Sequence, residues 1–329
     1  MKMRPDEAMT YHCMSRTVAG EHLFGDQEKE VLRKQIWRVA DFCGVQVLTY
    51  CVMANHFHVL VRVTAQEKET VSDAELVRRF AVLYPERGCG SLPYGCMAPE
   101  ELAALLASEE EGKQEEAERW RARLLARMGD VSEYVKTLKQ RFTKWYNHTH
   151  HRFGTLWAER FRSVMAEDGS LAVRLMAAYI DLNPVRAGLV GDAKDYRWSG
   201  YGEAVAGRVR AREGLVRAAG DPKEVAAGDW KGALARYRVG LFLMGSTSTE
   251  EIKRVEGEKG ELSATEQVRA RVRYFTQGLV LGGKGFVDGC LRQYMAERRL
   301  PGKRRPAKVQ WAGMEEGAGG VHAMRRPGR

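Results

Sequence analysis

Two runs of β-branched and aromatic residues, Val45 to Val52 and His56 to Val63, stand only three residues apart, across Met53-Ala54-Asn55. A connection that short makes the two runs each other's nearest partner, and the pair predicts an antiparallel hairpin. Successive side chains of a strand point to opposite faces. On the returning strand Phe57, Val59, Val61 and Val63 then form an apolar face suited to lie under helices. The other face carries His56, His58, Leu60 and Arg62 and reads as a working face rather than a core face. Two imidazoles one pleat apart can share a metal ion. A polar pair on a solvated sheet face has the same pattern, and His-x-His alone does not separate the two.

The flanking sequence supplies elements that can cover such a hairpin. Met9 to Val18 alternates loosely between apolar and polar and is rich in strand formers, which predicts a first strand. From Gln27 to Cys43, Leu32, Ile36, Val39 and Cys43 recur at helical spacing, and Gly44 marks the end. The stretch Thr64 to Asp130 reads as an insertion: a short helix over Val71 to Leu83, a loop over Pro85 to Pro99 and a charged, solvated helical stretch from Glu100 to Met128. From Val131 the pattern firms up, with Tyr134, Leu138, Phe142 and Trp145 as one helical stripe and Lys136, Lys139, Arg141 and Lys144 on other faces. Gly154 to Ala166 predicts one more strand or a bent hairpin, with Arg160 and Arg162 on one face.

The helix over Ser170 to Leu182 bears on chemistry. Leu171, Leu175, Ala178 and Leu182 cluster on one side, and Arg174 and Asp181 lie nearly opposite. Tyr179 and Asn183 are i and i+4 neighbours on the flank of the apolar side, so both can face one point on the sheet. Each also has a structural reading. Tyr179 can be a core aromatic with a satisfied hydroxyl, and Asn183 can be an N-cap, because Pro184 disfavours helical geometry at the residue before it.

With 329 residues the chain is long enough for roughly two domains. We expect a first unit over 1–201, with the insertion at about 65–130, and a mainly helical, basic region over 202–329. Helices are predicted there around Trp230 to Leu243, Thr265 to Phe275 and Phe286 to Arg298, the last two joined by Gly278 to Gly285 as a helix-turn-helix or a plain helical hairpin. The formal charge is +10, and from Leu291 to Arg329 ten Lys or Arg face three Glu, a net +7. Such a tail fits contact with a polyanion or a solvated, disordered end. The six cysteines form no Cys-x-x-Cys pair, which suits a reducing, cytoplasmic setting; Cys89 and Cys96 are a weak zinc candidate. No apolar run approaches the ~20 residues that span a bilayer, so no membrane partner is expected.

Four segments together resemble the single-tyrosine HUH transposases, in particular the REP-associated tyrosine transposases of the IS200-like family. They are Tyr11-His12 with Arg16, the run Met53 to Leu60, Gly154-Thr155-Leu156-Trp157 with Arg160-Phe161, and Tyr179 to Val190. Ala54 stands where a proline is often found before Asn-His-x-His, and the acidic excursion and long C-terminal region also depart from the family pattern. The resemblance implies an α+β fold of the ferredoxin-like or RRM-like kind, with helices on one face of an antiparallel sheet and the active site on the other. It further implies Tyr179 as nucleophile and a divalent ion, Mg²⁺ or Mn²⁺, held by His56, His58 and Asn183. Single-stranded DNA, in this family usually the hairpin of a palindromic repeat, is the implied partner, and a second copy of the chain, a homodimer, is left open.

The expected reaction is transesterification: the tyrosine hydroxyl attacks a phosphodiester, leaves a 5′-phosphotyrosine link and frees a 3′-OH. An ordinary phenol, with a pKa near 10, is about one part in a thousand ionised at neutral pH, so the phosphate must be made more electrophilic. Arg16, Lys139, Lys144, Arg160 and Arg162 are candidate DNA contacts. Because imidazole binds metal only when neutral, activity is expected to fall as pH drops through ~6.5. Two other readings fit the same residues: a silent single-strand-binding module, and a phosphodiesterase that uses water and leaves Tyr179 to pack.

Overall fold

The structure, a computed structural model, describes residues 8–64, 71–85, 97–219, 229–242, 278–297, 306–308 and 321–325. The chain opens with β1 (Met9–Arg16) and α1 (Asp26–Cys43), followed by the hairpin β2 (Gln46–Val52) and β3 (His56–Val63). Gly44 ends α1 in the left-handed region at φ +62°, a conformation that costs glycine little. Then come α2 (Asp73–Leu83), α3 (Pro99–Leu106), α4 (Glu111–Leu125), α5 (Val131–Thr149), β4 (Arg162–Glu167) and α6 (Leu171–Asp181). The remainder contributes α7 (Asn183–Arg186), α8 (Gly200–Val205), α9 (Val209–Ala219), α10 (Trp230–Phe242), β5 (Gly278–Gly282), α11 (Lys284–Glu297), β6 (Ala307–Lys308) and β7 (His322–Arg325).

The fold is α+β. One sheet runs in the order β2-β3-β1-β4-β5-β7-β6. Its β2-β3-β1-β4 part is antiparallel throughout, and β5 joins β4 in parallel. The face formed by Tyr11, Cys13, Phe57, Val59, Val61 and Val63 lies under α1, α2 and α5, where Leu32, Ile36, Val39, Phe80, Leu138 and Phe142 complete the core. That is the expected layer of helices.

The other face is also covered. Leu48, Cys51, Leu60, Val164 and Ala166 pack against α6, α8, α9 and α10 in a second apolar cluster. The predicted working face is thus largely interior: His58 and Leu60 are buried, and His56 and Arg62 are half-buried. Strand alternation shows which residues share a face, but not what later packs on it.

Three other expectations change. The charged stretch after Thr64 is not a solvated excursion, because Leu76, Phe80, Leu102, Trp120 and Leu124 of α2, α3 and α4 are buried in the first core. Gly278 to Gly285 is no turn between helices: Gly278–Gly282 is a strand whose Val280 and Leu281 pair with β4. Asp181, expected opposite the apolar side of its helix, is fully buried, since α10 closes over it. The predicted helix at Thr265 to Phe275, Cys89 and Cys96, and most of the basic tail lie outside the described residues. Helix α8 runs across the boundary expected at residue 201, and α9 packs on β2.

The contact with α9 depends on a register shift. Pairing of β2 with β3 skips from Val47 to Thr49, a bulge that turns both Leu48 and Thr49 toward the second face. Helix α9 meets that bulge at Gly214, where an added Cβ would stand 2.5 Å from the Val47 carbonyl oxygen and 2.6 Å from that of Leu48. Both obstacles are backbone and cannot swing aside. Gly214→Ala is expected to lower unfolding free energy by about 2–3 kcal/mol, the upper range of overpacking, in urea denaturation. A loss below about 0.5 kcal/mol would mean the helix backs off freely.

Candidate active site

The β1–β3 register sets Arg16 opposite His56 and Met14 opposite His58. Directly paired residues project to the same face, so His12, two residues from Met14, is the diagonal neighbour of His58. The two rings meet: His12 Nε2 and His58 Nδ1 are 2.8 Å apart and the ring centroids 5.0 Å. His56 stands perpendicular to His58 at 5.1 Å between centroids.

Helix α6 lays Tyr179 over this group, with ring centroids 6.0 Å from His58 and 6.2 Å from His12, both edge-on. Pro184 cannot continue the helical ladder, and the chain breaks at Leu182, between α6 and α7. The Asn183 amide donates to the Tyr179 and Ile180 carbonyls, both at 3.0 Å, and so satisfies orphan groups of the helix end. Its Oδ1 is the atom left to accept or ligate. Arg186, one turn further, holds its guanidinium 4.7 Å over the Tyr179 ring.

Asn55 orients His56. Its Oδ1 is 2.6 Å from His56 Nδ1 while its Nδ2 donates to the Gly20 carbonyl at 2.9 Å, and the second bond identifies Oδ1 as the acceptor. His56 Nδ1 therefore carries the proton, and Nε2 presents a lone pair. Burial lowers the His56 pKa to about 4, helped by the Arg16 charge, and puts His58 well below its ordinary value, with the His12 and His56 rings adding to the effect. Both rings are then neutral well below pH 6.5, which moves the expected acid limb to lower pH.

Among the described residues no group of three or more His, Cys, Asp or Glu side chains is arranged to hold a metal ion. The ligands expected from the sequence, the His56 and His58 imidazoles and the Asn183 amide oxygen, are of a different kind, and such a donor set suits a borderline divalent ion such as Mn²⁺ better than Mg²⁺.

The cations divide. Arg16 is exposed at the end of β1, on the histidine face. Arg162, paired across β4 with Met14, shares that face and is ion-paired with Glu159 at 2.7 Å. Arg160 is exposed in the preceding loop. Lys139 and Lys144 belong to α5, which covers the opposite face, and are not brought to the histidines. Lys139 is half-buried, donates to the Glu159 carbonyl at 2.8 Å, and burial lowers its pKa to about 8.

His12, Asn55 and Arg186 were not singled out as site residues from the sequence. A signal existed for the first, since His12, Met14 and Arg16 alternate on one face of a strand. Using it required the β1–β3 register.

No helix among the described residues is long and apolar enough to cross a membrane. No curated protein matches the chain. A solved structure described as "Structure of the REP associates tyrosine transposase bound to a REP hairpin" is similar at 16% identity, covering 60% of this chain and 80% of that one, with a TM-score of 0.33. Residues 6–79, which carry His12, Asn55 and the His56–His58 pair, match the family described as "Transposase IS200 like".

Proposed function

We propose that this protein is a metal-dependent single-stranded DNA transesterase that cleaves and rejoins DNA through a 5′-phosphotyrosine intermediate. The observation that carries the reading is the convergence of Tyr179 on His58 and His12, about 6 Å ring to ring, from segments more than a hundred residues apart. A tyrosine that merely packed would not need two stacked histidines under it.

Tyr179 Oη is the nucleophile. As its bond to phosphorus forms, the bond from phosphorus to the 3′ oxygen breaks, the phenolic proton leaves, and the 3′ oxygen departs as the free hydroxyl once protonated. The energy of the old ester is retained in the new one, so rejoining needs no ATP. His56 Nε2, His58 Nε2 and Asn183 Oδ1 would hold the divalent ion, which when bound supplies Lewis acidity to a non-bridging phosphate oxygen.

His12 has a defined task in this reading. If His58 is to ligate through Nε2, its proton must sit on Nδ1, and the acceptor for that proton is His12 Nε2 at 2.8 Å. Arg186 keeps the tyrosine ring from turning away. Arg16 and Arg162 on the histidine face, and Arg160 in the loop before β4, would hold phosphates of the strand.

In a denaturing gel, full-length protein incubated with labelled single-stranded hairpin DNA and Mn²⁺ is expected to give a slow-migrating covalent species. EDTA should abolish it, and His58→Ala should reduce it by about 100-fold or more while sparing much of the binding. Strand cleavage without any adduct would support the water-dependent phosphodiesterase instead. Binding with neither cleavage nor adduct under any metal would leave a silent binding module.

A further inference from the structure

The end of α5 and the loop after it form an open cavity of about 420 Å³. Lys144, Asn147, His148, His151, Arg152 and Phe153 line it, with no acidic residue among its lining. Phe153 is 93% exposed, the most exposed of the large apolar side chains among the described residues.

That exposure is not the looseness of a free loop. The Arg152 amide donates to the Asn147 carbonyl at 2.9 Å, the Asn147 side chain donates to the Gly154 carbonyl at 3.0 Å, and the His150 amide reaches the Tyr146 carbonyl at 2.9 Å. His151 takes a left-handed φ of +49° and Gly154 one of +89°, bends that turn Phe153 outward. Arg152 is tied loosely to Glu21 at 4.0 Å, and His150 to Glu28 at 3.1 Å. A pinned turn that spends its one large apolar ring on water is built to touch something else.

We propose that this cavity is a seat for one unpaired nucleotide of a DNA single strand, with its base stacked on Phe153 and its phosphate between Lys144 and Arg152. Every base has a π face, so an exposed ring flanked by cations binds single strands with little sequence preference. A volume of this size takes one nucleotide rather than a duplex. The loop also leads toward the histidine face: Trp157 bridges to Thr17, and the Ala158 amide donates to the Arg16 carbonyl at 3.0 Å. A strand seated at Phe153 can run on past Arg16.

The seat rests on the transesterase reading only for its purpose; as a binding site it can be tested apart from it. In EDTA, so that no chemistry occurs, fluorescence anisotropy with a labelled dT12 oligonucleotide should show Phe153→Ala binding about tenfold more weakly than the parent protein, and Phe153→Trp binding at least as well. Duplex DNA of the same length should be held equally by all three. An oligonucleotide carrying 5-iodouracil should photocrosslink to the peptide that contains Phe153. Phe153→Ala affinity within twofold of the parent, or crosslinks mapping only elsewhere, would overturn the seat. If the parent makes no adduct with Tyr179 but the Phe153 effect holds, the transesterase reading fails and the seat stands.

Discussion

Tyr179→Phe is expected to lower the covalent protein–DNA species by at least about 10³-fold while leaving the protein folded and able to bind DNA. The substitution deletes one oxygen. If that oxygen is the proposed nucleophile, its removal is among the costliest single changes an enzyme can suffer. The ring itself remains beneath the Arg186 guanidinium and edge-on to His58 and His12, so packing is conserved and unfolding free energy should move by less than about 1 kcal/mol. The measurement is the adduct band on a denaturing gel, with binding followed separately by anisotropy. An undiminished adduct in the Phe variant would place the nucleophile elsewhere. Parental cleavage without adduct in either protein would reduce Tyr179 to a packing residue.

Asp181 carries the second large effect. It lies on α6 between Tyr179 and Asn183, fully buried, with Thr49 Oγ1 donating to both its oxygens at 2.9 Å and the Tyr237 hydroxyl donating to Oδ2. The carboxyl thus ties the tyrosine helix to β2 on one side and to α10 on the other. Burial pushes its pKa up to about 7, against the hydrogen bonds from Tyr237 and Thr49, which lower it. In the unfolded chain the same group gives up its proton near pH 4. Between those values the folded state binds more protons than the unfolded one, so this carboxyl's contribution falls as pH rises from about 4 to about 7 and is level above. About three pKa units at 1.36 kcal/mol each amount to roughly 4 kcal/mol.

Asp181→Asn keeps the shape and one acceptor and does not titrate. Its stability relative to the parent, from urea denaturation, should therefore increase by roughly 3 kcal/mol between pH 4.5 and pH 8. The buried histidines slope the other way, losing stability as pH falls below about 6.5, and cancel in the comparison because both proteins contain them. A difference that stayed flat across the range would mean Asp181 is ionised in the fold throughout. Asp181→Ala is the harsher change: it orphans the Thr49 and Tyr237 hydroxyls at about 1–3 kcal/mol each and leaves a void, for a loss of roughly 3–5 kcal/mol.

Much of the first half of the chain was legible because its signals are local. The three-residue gap between β2 and β3, the helical stripe of α1 ending at Gly44, and the apolar stripe of α5 are each read within a window of about twenty residues. The bulge at Leu48 was not legible, because one extra residue in a strand of apolar side chains leaves the alternation looking intact. The burial of α2 to α4 is less legible, because across the three helices charged residues outnumber those, such as Phe80 and Trp120, that reach the core.

The candidate site divides in the same way. A strand's period of two and a helix's i, i+4 neighbours fix that His56 points with His58 and Tyr179 with Asn183, and the family resemblance, not the spacing, joins the two pairs. His12 against His58, Asn55 holding His56, Arg186 over the tyrosine ring and Asp181 clamped between Thr49 and Tyr237 depend on strand register and on which helices cover the second face. The sequence by itself determined which side chains each element presents on which side, because that follows from backbone geometry. Only the tertiary structure decided that the histidine face is closed over by α6, α8, α9 and α10, because burial is a property of what packs on a surface. That closure lowers the pKa values of His56 and His58, raises that of Asp181, and brings Tyr179 over His12 and His58.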